Sequence, residues 1–503
     1  AKMQAAGTYS ITHTKSQLMK LSPLLIPIAI IFGLLGSSFL LCACVGYFIY
    51  DETVLAWMPS ISIAYTLSLI CCICGRKQRK ILIFKRNILI TTGLAWLFAS
   101  IIGSLPYWTL LHCDFSTGIF ENVSGITTTG ATNLLELENL PKSVLLWRAI
   151  SQWIGGLGFV TFFITFLGTG ALQKQFYVQE STTLEESVSL FHIRRQLFQC
   201  FLLYLGLSYA CFTCLWLSSM SPWDAIYHAL TAISTGGFSN HSDGIPHFHS
   251  KRVECVLCIF MFLSGSNFIL LSKAILGKDA SLLHNAEFKL YVALQILYTF
   301  ILTVILYPSA YASLPEALRH ALFQSLSLST TAGFHSDNFA LWPPITNYIL
   351  LIVMSIGACT GSTAGGFKIL RILALTKTLF IHLEQFFRAH IVRVSRIDKV
   401  VWNEKKQLDI LYFLALNLLI VIAACLTLQM CMPSLDFLSN ISSIIASLSN
   451  VGPGLSSLNG PASNFAHFLP SAKLVLALLM LLGRLEIYAL IVLFIPKFWK
   501  QFD

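Results

Sequence analysis

Four short clusters of threonine, serine and glycine recur along this chain. They read Ser124-Gly125-Ile126-Thr127-Thr128-Thr129-Gly130, Thr231-Ala232-Ile233-Ser234-Thr235-Gly236-Gly237, Ser327-Leu328-Ser329-Thr330-Thr331-Ala332-Gly333 and Ala446-Ser447-Leu448-Ser449-Asn450-Val451-Gly452. Their last glycines fall 107, 96 and 119 residues apart, a spacing regular enough to mark an internal repeat. Small hydroxyl side chains satisfy nearby backbone groups without bulk, and glycine lets the backbone turn with φ > 0. Backbone carbonyls presented this way suit a desolvated cation, whereas an anion calls for helix N-termini or arginine. A single copy reads as close helix packing by small residues. Four aligned copies read as one shared axis.

Two further features could act on such an axis. Gly357, Gly361, Gly365 and Gly366 interrupt an otherwise apolar run, and each glycine inside a helix costs about 1 kcal/mol relative to alanine. A helix is therefore expected to break there, close packing by small residues being the bland account. Arg484 stands in Leu481-Leu482-Gly483-Arg484-Leu485-Glu486, where a membrane-embedded charge faces an interior path or a partner. Glu486, two residues on along a helix, would not face it. Other chemistry is thinly supplied. Cys255 and Cys258 form a lone CxxC in an apolar stretch, short of the four ligands of a structural zinc site. His241, His247 and His249 with Asp243 read as a chelating loop or simply a loop, and His335 as a pH sensor or a packed ring. With 23 Asp and Glu in 503 residues and no HExxH or GxSxG, an intramembrane enzyme lacks its reacting groups.

The elements that must hold the clusters are apolar. The chain is 55% hydrophobic and 11% charged, with mean hydropathy +0.72, against roughly 25% charged for a soluble domain. Stretches of about 20 apolar residues cross a bilayer. Ten occur, at 22–49, 54–75, 87–111, 144–170, 197–219, 253–276, 288–310, 347–380, 408–431 and 471–497. Of the 33 Lys and Arg, all but seven lie in the N-terminal segment, in the intervals 73–88, 171–196, 271–289 and 368–407, and in the C-terminal tail. The positive-inside rule puts those segments and both termini in the cytoplasm. The basic runs flank apolar spans, which argues against a nucleic-acid partner. The intervals holding the clusters then lie on the other side. Three of the four start with a helix signal: Ser221-Pro222-Trp223-Asp224, Ser313-Leu314-Pro315-Glu316, and Pro433-Ser434-Leu435-Asp436 with Ser434 as cap. Helices of ten to fourteen residues are expected there, too short to span, each aiming its partly negative C-terminal end at a cluster.

These residues resemble the TrkH/KtrB potassium-uptake proteins of the Trk/Ktr/HKT superfamily, and the TrkH branch most. Phe120 to Thr132 is similar to the family's first selectivity filter. Leu146-Trp147-Arg148 with Gln152 to Gly158 is similar to the start of its following helix. Ile356 to Lys368 is similar to the intramembrane gate loop, and Ser449 to Gly454 to the fourth filter. The resemblance implies an all-α polytopic membrane protein. Four M1–pore helix–M2 repeats surround a pseudo-fourfold axis, and an N-terminal pair of transmembrane helices is added. The parts would be 1–80 (N-terminal segment and helix pair), 81–175, 176–280, 281–385 and 386–503. It further implies K+ as the transported ion with no organic cofactor in this chain. The K+ filter would be Thr127, Thr128, Thr129, Gly130, Ser234, Thr235, Gly236, Gly237, Thr330, Thr331, Ala332, Gly333, Ser449, Asn450, Val451 and Gly452. The gate would be Gly357, Gly361, Gly365 and Gly366 with Arg484. Glycine at all four final positions favours potassium, since serine at the first accompanies sodium preference in one plant subgroup. A homodimer in the bacterial inner membrane is implied, on a cytosolic ring of TrkA-type subunits that bind NAD, ATP or ADP. The basic interval 368–407 suits docking of that ring or attraction to anionic lipid. Two alternatives stay open: a symporter coupled to H+ or Na+, since broken repeats also mark secondary transporters, and a weakly selective K+/Na+ channel.

Overall fold

The computed structural model describes residues 17–18, 22–50, 52–75, 85–156, 158, 190–277, 280–388, 395–398, 400–402 and 404–501. The second half of the expected span 144–170, the basic run 76–80 and residues 171–189 lie outside them. In chain order the helices are α1 (Ser22–Tyr50), α2 (Met58–Gly75), α3 (Lys85–Gly103), α4 (Leu105–Leu110), α5 (Phe115–Ile126) and α6 (Lys142–Gly156). After the undescribed stretch come α7 (Leu190–Leu217), α8 (Pro222–Ile233), α9 (Lys251–Ser264), α10 (Phe268–Gly277), α11 (Ser281–His284) and α12 (Ala286–Leu306). The last are α13 (Leu314–Ser329), α14 (Ile345–Ile356), α15 (Ile369–Phe387), α16 (Glu404–Cys431), α17 (Phe437–Leu448), α18 (Pro470–Arg484) and α19 (Tyr488–Phe494).

Apolar sequence becomes helix here because lipid offers no partner to a backbone N–H or C=O, and a helix satisfies them all internally. The 29 residues of α1 carry no charged side chain. By length and composition, six described helices can cross a bilayer, and up to eight spans result if each bent pair counts as one. The protein is an all-α, multi-pass membrane protein.

Two spans expected to be continuous are broken. At 253–276, α9 and α10 meet at 103°, and at 471–497, α18 and α19 meet at 119°. The first break persists because its freed backbone groups find partners. Asn267 Oδ1 accepts from the N–H of Ile269 (3.0 Å) and Leu270 (3.1 Å). The Gly265 carbonyl accepts from Cys359 N–H at 3.1 Å, and Phe268 N–H donates to Gly361 O at 3.0 Å. The glycine-rich run 357–366 thus completes the hydrogen bonding of a neighbouring helix break. Span 347–380 is interrupted as expected, between α14 and α15, with Gly357, Gly361 and Gly366 at φ of 75°, 74° and 77°.

The helices group into four units of one long helix, one short helix and a closing helix: α3/α4–α5–α6, α7–α8–α9/α10, α12–α13–α14/α15 and α16–α17–α18/α19. Each short helix packs on the closing helix of the unit before it. Thus α8 lies on α6, α13 on α9, α17 on α14, and α5 on α18. The last contact closes a circle of four. Outside it, α1 packs against α2, α3 and α6.

The short helices start largely as their sequences direct. Ser221 Oγ accepts from Asp224 N–H at 3.1 Å. At α17 the cap is Asp436, which accepts from Ser439 N–H at 3.2 Å, and not Ser434, because Asp436 immediately precedes the first helical residue. Three of these helices have 12 residues, and α13 has 16. That is two more than expected, its outer turns being tied by Arg319 to Glu254 at 2.6 Å.

Units one and two are clamped by Arg148, which is fully buried. Its guanidinium pairs with Glu121 at 2.8 Å, donates to Tyr227 Oη (3.2 Å), Ser239 O (3.0 Å) and Thr132 Oγ1 (3.2 Å), and lies 4.1 Å from the Phe238 ring centre. Removing one partner leaves the other as a buried, uncompensated charge, which costs about 3–5 kcal/mol. Arg148→Met is therefore expected to lower the thermal unfolding midpoint in detergent sharply. A midpoint within a degree or two of wild type would contradict that role.

Candidate functional site

The four clusters share one backbone. Each short helix ends at Thr127, Ser234, Thr330 or Ser449, and the next residue is left-handed: Thr128 (φ 55°), Thr235 (53°), Thr331 (56°) and Asn450 (56°). The N–H two residues past each helix end donates back to Ser124 O, Thr231 O, Ser327 O or Ala446 O at 2.8–2.9 Å. The left-handed residue donates to Gly125 O, Ala232 O, Leu328 O or Ser447 O at 2.9–3.3 Å. This paired pattern is the Schellman motif, whose left-handed position ordinarily takes glycine. Threonine there is conformationally costly, on the order of 1–3 kcal/mol each. Glycine comes two residues later: Gly130, Gly237, Gly333 and Gly452, at φ of 85°, 70°, 74° and 102°.

Those glycines close a ring. A methyl group on Gly130 would collide with the carbonyl oxygen of Gly236, one on Gly237 with that of Ala332, one on Gly333 with that of Val451, and one on Gly452 with that of Thr129. Each glycine thus abuts the peptide just before the glycine of the next unit. All sixteen expected filter residues stand in this one assembly, and four helix C-termini, each with about half a negative charge, converge on it. Gln152 braces it from α6, its Nε2 donating to Gly236 O at 2.7 Å and its Oε1 accepting from Phe238 N–H at 3.2 Å. Asn450 Nδ2 donates to Thr129 Oγ1 (3.0 Å) and Met480 O (2.9 Å), joining units four and one.

The loop 357–368 lies directly against three of the clusters. Thr363 Oγ1 accepts from Thr235 Oγ1 at 3.2 Å, Gly365 N–H donates to Thr331 Oγ1 at 2.7 Å, and a methyl on Gly365 would strike Ser449 O. Two of the four left-handed positions, Thr235 and Thr331, therefore turn hydroxyls onto the loop. Its far side is held by Glu287, whose Oε1 accepts from Thr360 N–H (2.5 Å) and Leu370 N–H (3.2 Å). Asn267 Nδ2 donates to Thr360 O at 2.6 Å. Arg484 reaches the loop from the opposite side. It donates to Thr363 O at 2.8 Å and to Gly155 O and Gly156 O at 2.6 and 3.2 Å. It ends α18, so the expected comparison with Glu486 along one helix does not arise.

Gln152, Glu287 and Asn267 escaped the sequence reading as site residues, although isolated polar side chains in apolar helices are a usable signal. Just past the third cluster, His335 is half-buried. Its Nε2 bonds Asp243 O at 3.2 Å, and burial lowers its pKa to about 4. It gains a proton only as pH falls well below its ordinary value of 6.5, so it is neutral at physiological pH. His241 and His247 stack at 3.7 Å between ring centres, and no metal-holding group of three or more His, Cys, Asp or Glu occurs among the described residues. A ring of backbone carbonyls and helix C-termini, with a loop and an arginine packed against it, has the chemistry to accept a cation.

The profile of a family described as TrkH, cation transport protein, matches residues 73–501. The "Trk system potassium uptake protein TrkH" of Escherichia coli K12 is 32% identical over 434 residues, covering 85% of this chain and 88% of that protein. Its Salmonella typhimurium counterpart is 32% identical over 415 residues, covering 81% and 85%. The crystal structure of the potassium transporter TrkH from Vibrio parahaemolyticus superposes with a TM-score of 0.85 at 28% identity, covering 96% of this chain and all of that one.

Proposed function

The chain belongs to the TrkH family of cation transport proteins, and from that premise we propose that it takes up potassium across the bacterial inner membrane. The ion passes through the ring Thr127–Gly130, Ser234–Gly237, Thr330–Gly333 and Ser449–Gly452. The observation that carries this reading is the closed sequence of glycine-to-carbonyl contacts, Gly130 to Gly236, Gly237 to Ala332, Gly333 to Val451 and Gly452 to Thr129. Such a ring offers oxygen ligands in place of hydration water. A negative-inside potential draws the cation inward by about 2.3 kcal/mol per charge per 100 mV. The gate is the loop bearing Gly357, Gly361, Gly365 and Gly366 together with Arg484. The hydrogen bonds of Thr363 and Gly365 to two of the clusters, and of Arg484 to Thr363, support that assignment.

Both termini face the cytoplasm in this reading, the five parts divide at about 80, 175, 280 and 385, and the protein works as a homodimer. Control comes from a cytosolic TrkA-type ring that binds nucleotide and docks on the basic face 368–407. The relatives' description as components of a Trk system supports a partner of this kind.

The test is cation flux into proteoliposomes holding the purified chain, under K+, Rb+, Na+ or Li+ gradients. Potassium and rubidium flux without a second ion gradient is the expected result. Flux that demands a proton or sodium gradient makes the protein a symporter. Comparable sodium and potassium flux makes it a weakly selective channel.

A further inference from the structure

The bend between α18 and α19 carries two charges, one bonded to the gate loop and the other to the helix into which that loop runs. Arg484, above the bend, bonds the loop at Thr363 O (2.8 Å). Glu486, within it, pairs with Arg371 Nη2 at 2.5 Å, and Arg371 stands in the first turn of α15, the helix into which the loop runs. Arg371 also donates to Phe367 O at 3.2 Å and lies 4.3 Å from the Phe413 ring centre on α16. Phe413 in turn sits 6.0 Å from Tyr488, at the start of α19. The bend itself is unfavourable in isolation. Glu486 and Ile487 are consecutive non-glycine residues at φ of 50° and 67°, and a β-branched residue there persists only where its surroundings hold it. Neither glycine nor proline occupies 485–487.

We infer that the Arg371–Glu486 ion pair is a latch: it holds the strained bend that keeps Arg484 against the gate loop, and its opening lets loop and arginine withdraw together. Arg371 and Glu486 act here as positioning residues. The inference rests on the gate reading proposed above. It goes beyond that reading by assigning the closed state to a second pair, on the loop's exit side, that joins units three and four.

The test compares potassium flux in proteoliposomes for wild type, Glu486→Gln, Arg371→Gln, the double substitution, the exchange Arg371→Glu with Glu486→Arg, and Arg484→Ala. Glu486 is half-exposed, so the pair shifts a two-state equilibrium modestly and each single substitution should raise flux roughly three- to tenfold. The double should add little more, and the exchange should return flux toward wild type. A merely structural pair would instead lower thermal stability and flux together. If Arg484→Ala raises flux while both single substitutions leave it at wild type, the latch is overturned and the gate stands. If Arg484→Ala leaves flux unchanged, gate and latch fall together. Should the singles not reconstitute, the exchanged pair decides: low flux supports the latch and raised flux refutes it.

Discussion

Gly130→Ser is expected to lower the potassium-to-sodium permeability ratio by roughly tenfold or more, a shift that needs only about 1.4 kcal/mol between the two ions. Two costs act at once. Gly130 sits at φ 85°, where a residue with a Cβ is disfavoured by about 1–2 kcal/mol. Its Cβ would also enter the Gly236 carbonyl oxygen, which Gln152 Nε2 fixes at 2.7 Å. That oxygen cannot yield alone, because each cluster's carbonyl abuts the preceding cluster's glycine and the contacts close on themselves. The distortion therefore passes around the ring and alters the oxygen positions that any selectivity depends on. Gly206 and Gly277 supply the controls, since an added Cβ there meets nothing within 4 Å. Gly206→Ala, inside α7, should leave both flux and ion preference alone. Reversal-potential or flux ratios for K+ and Na+ read the difference. An unchanged ratio in a monodisperse Gly130→Ser protein would remove this ring from the selectivity mechanism.

Why the sequence announced some of this and not the rest follows from what kind of force fixes each feature. The repeat was legible because Gly130, Gly237, Gly333 and Gly452 mark positions where a carbonyl from the neighbouring unit leaves no room for a side chain. The break at 357–366 was legible for a related reason: glycines at 357, 361 and 366 take backbone angles that other residues resist. The left-handed helix ends were hidden, since threonine at 128, 235 and 331 is a poor choice for them by local preference. A tertiary reward accounts for two of them, as Thr235 and Thr331 reach Thr363 and Gly365; none is seen for Thr128. The bend at Leu485-Glu486-Ile487 was hidden in the same way, its local residues giving no breaking signal. Groups from two other units hold it: the Arg371 side chain of α15 and the Thr363 carbonyl of the loop in unit three, and the Gly155 and Gly156 carbonyls at the end of α6 in unit one. Local propensity thus gave out where helices from different units meet, and those meeting points are the ones that gating would have to move.

Arg484→Ala is expected to raise potassium flux by at least about fivefold, and the comparison with lysine and glutamine separates two reasons why. The first is electrostatic. At 4 Å a unit charge opposes a cation by about 1 kcal/mol in water and about 4 kcal/mol at the effective dielectric of a protein surface, and even the lower figure corresponds to a five- to sixfold change in rate. The second is mechanical, because the guanidinium joins Thr363 O of the loop to Gly155 O and Gly156 O of α6. That fork spans two elements with directed donors, which an ammonium on a flexible stem does not reproduce. If charge dominates, Arg484→Lys conducts as little as wild type while Arg484→Gln and Arg484→Ala both open. If the tether dominates, lysine opens as well, since it keeps the charge and loses the fork. Glu287 and Asn267 hold the loop from the other side, so none of the three substitutions should unfold it, and thermal stability should fall less than flux rises. An alanine variant no more conductive than wild type would mean that neither the charge nor the tether limits passage.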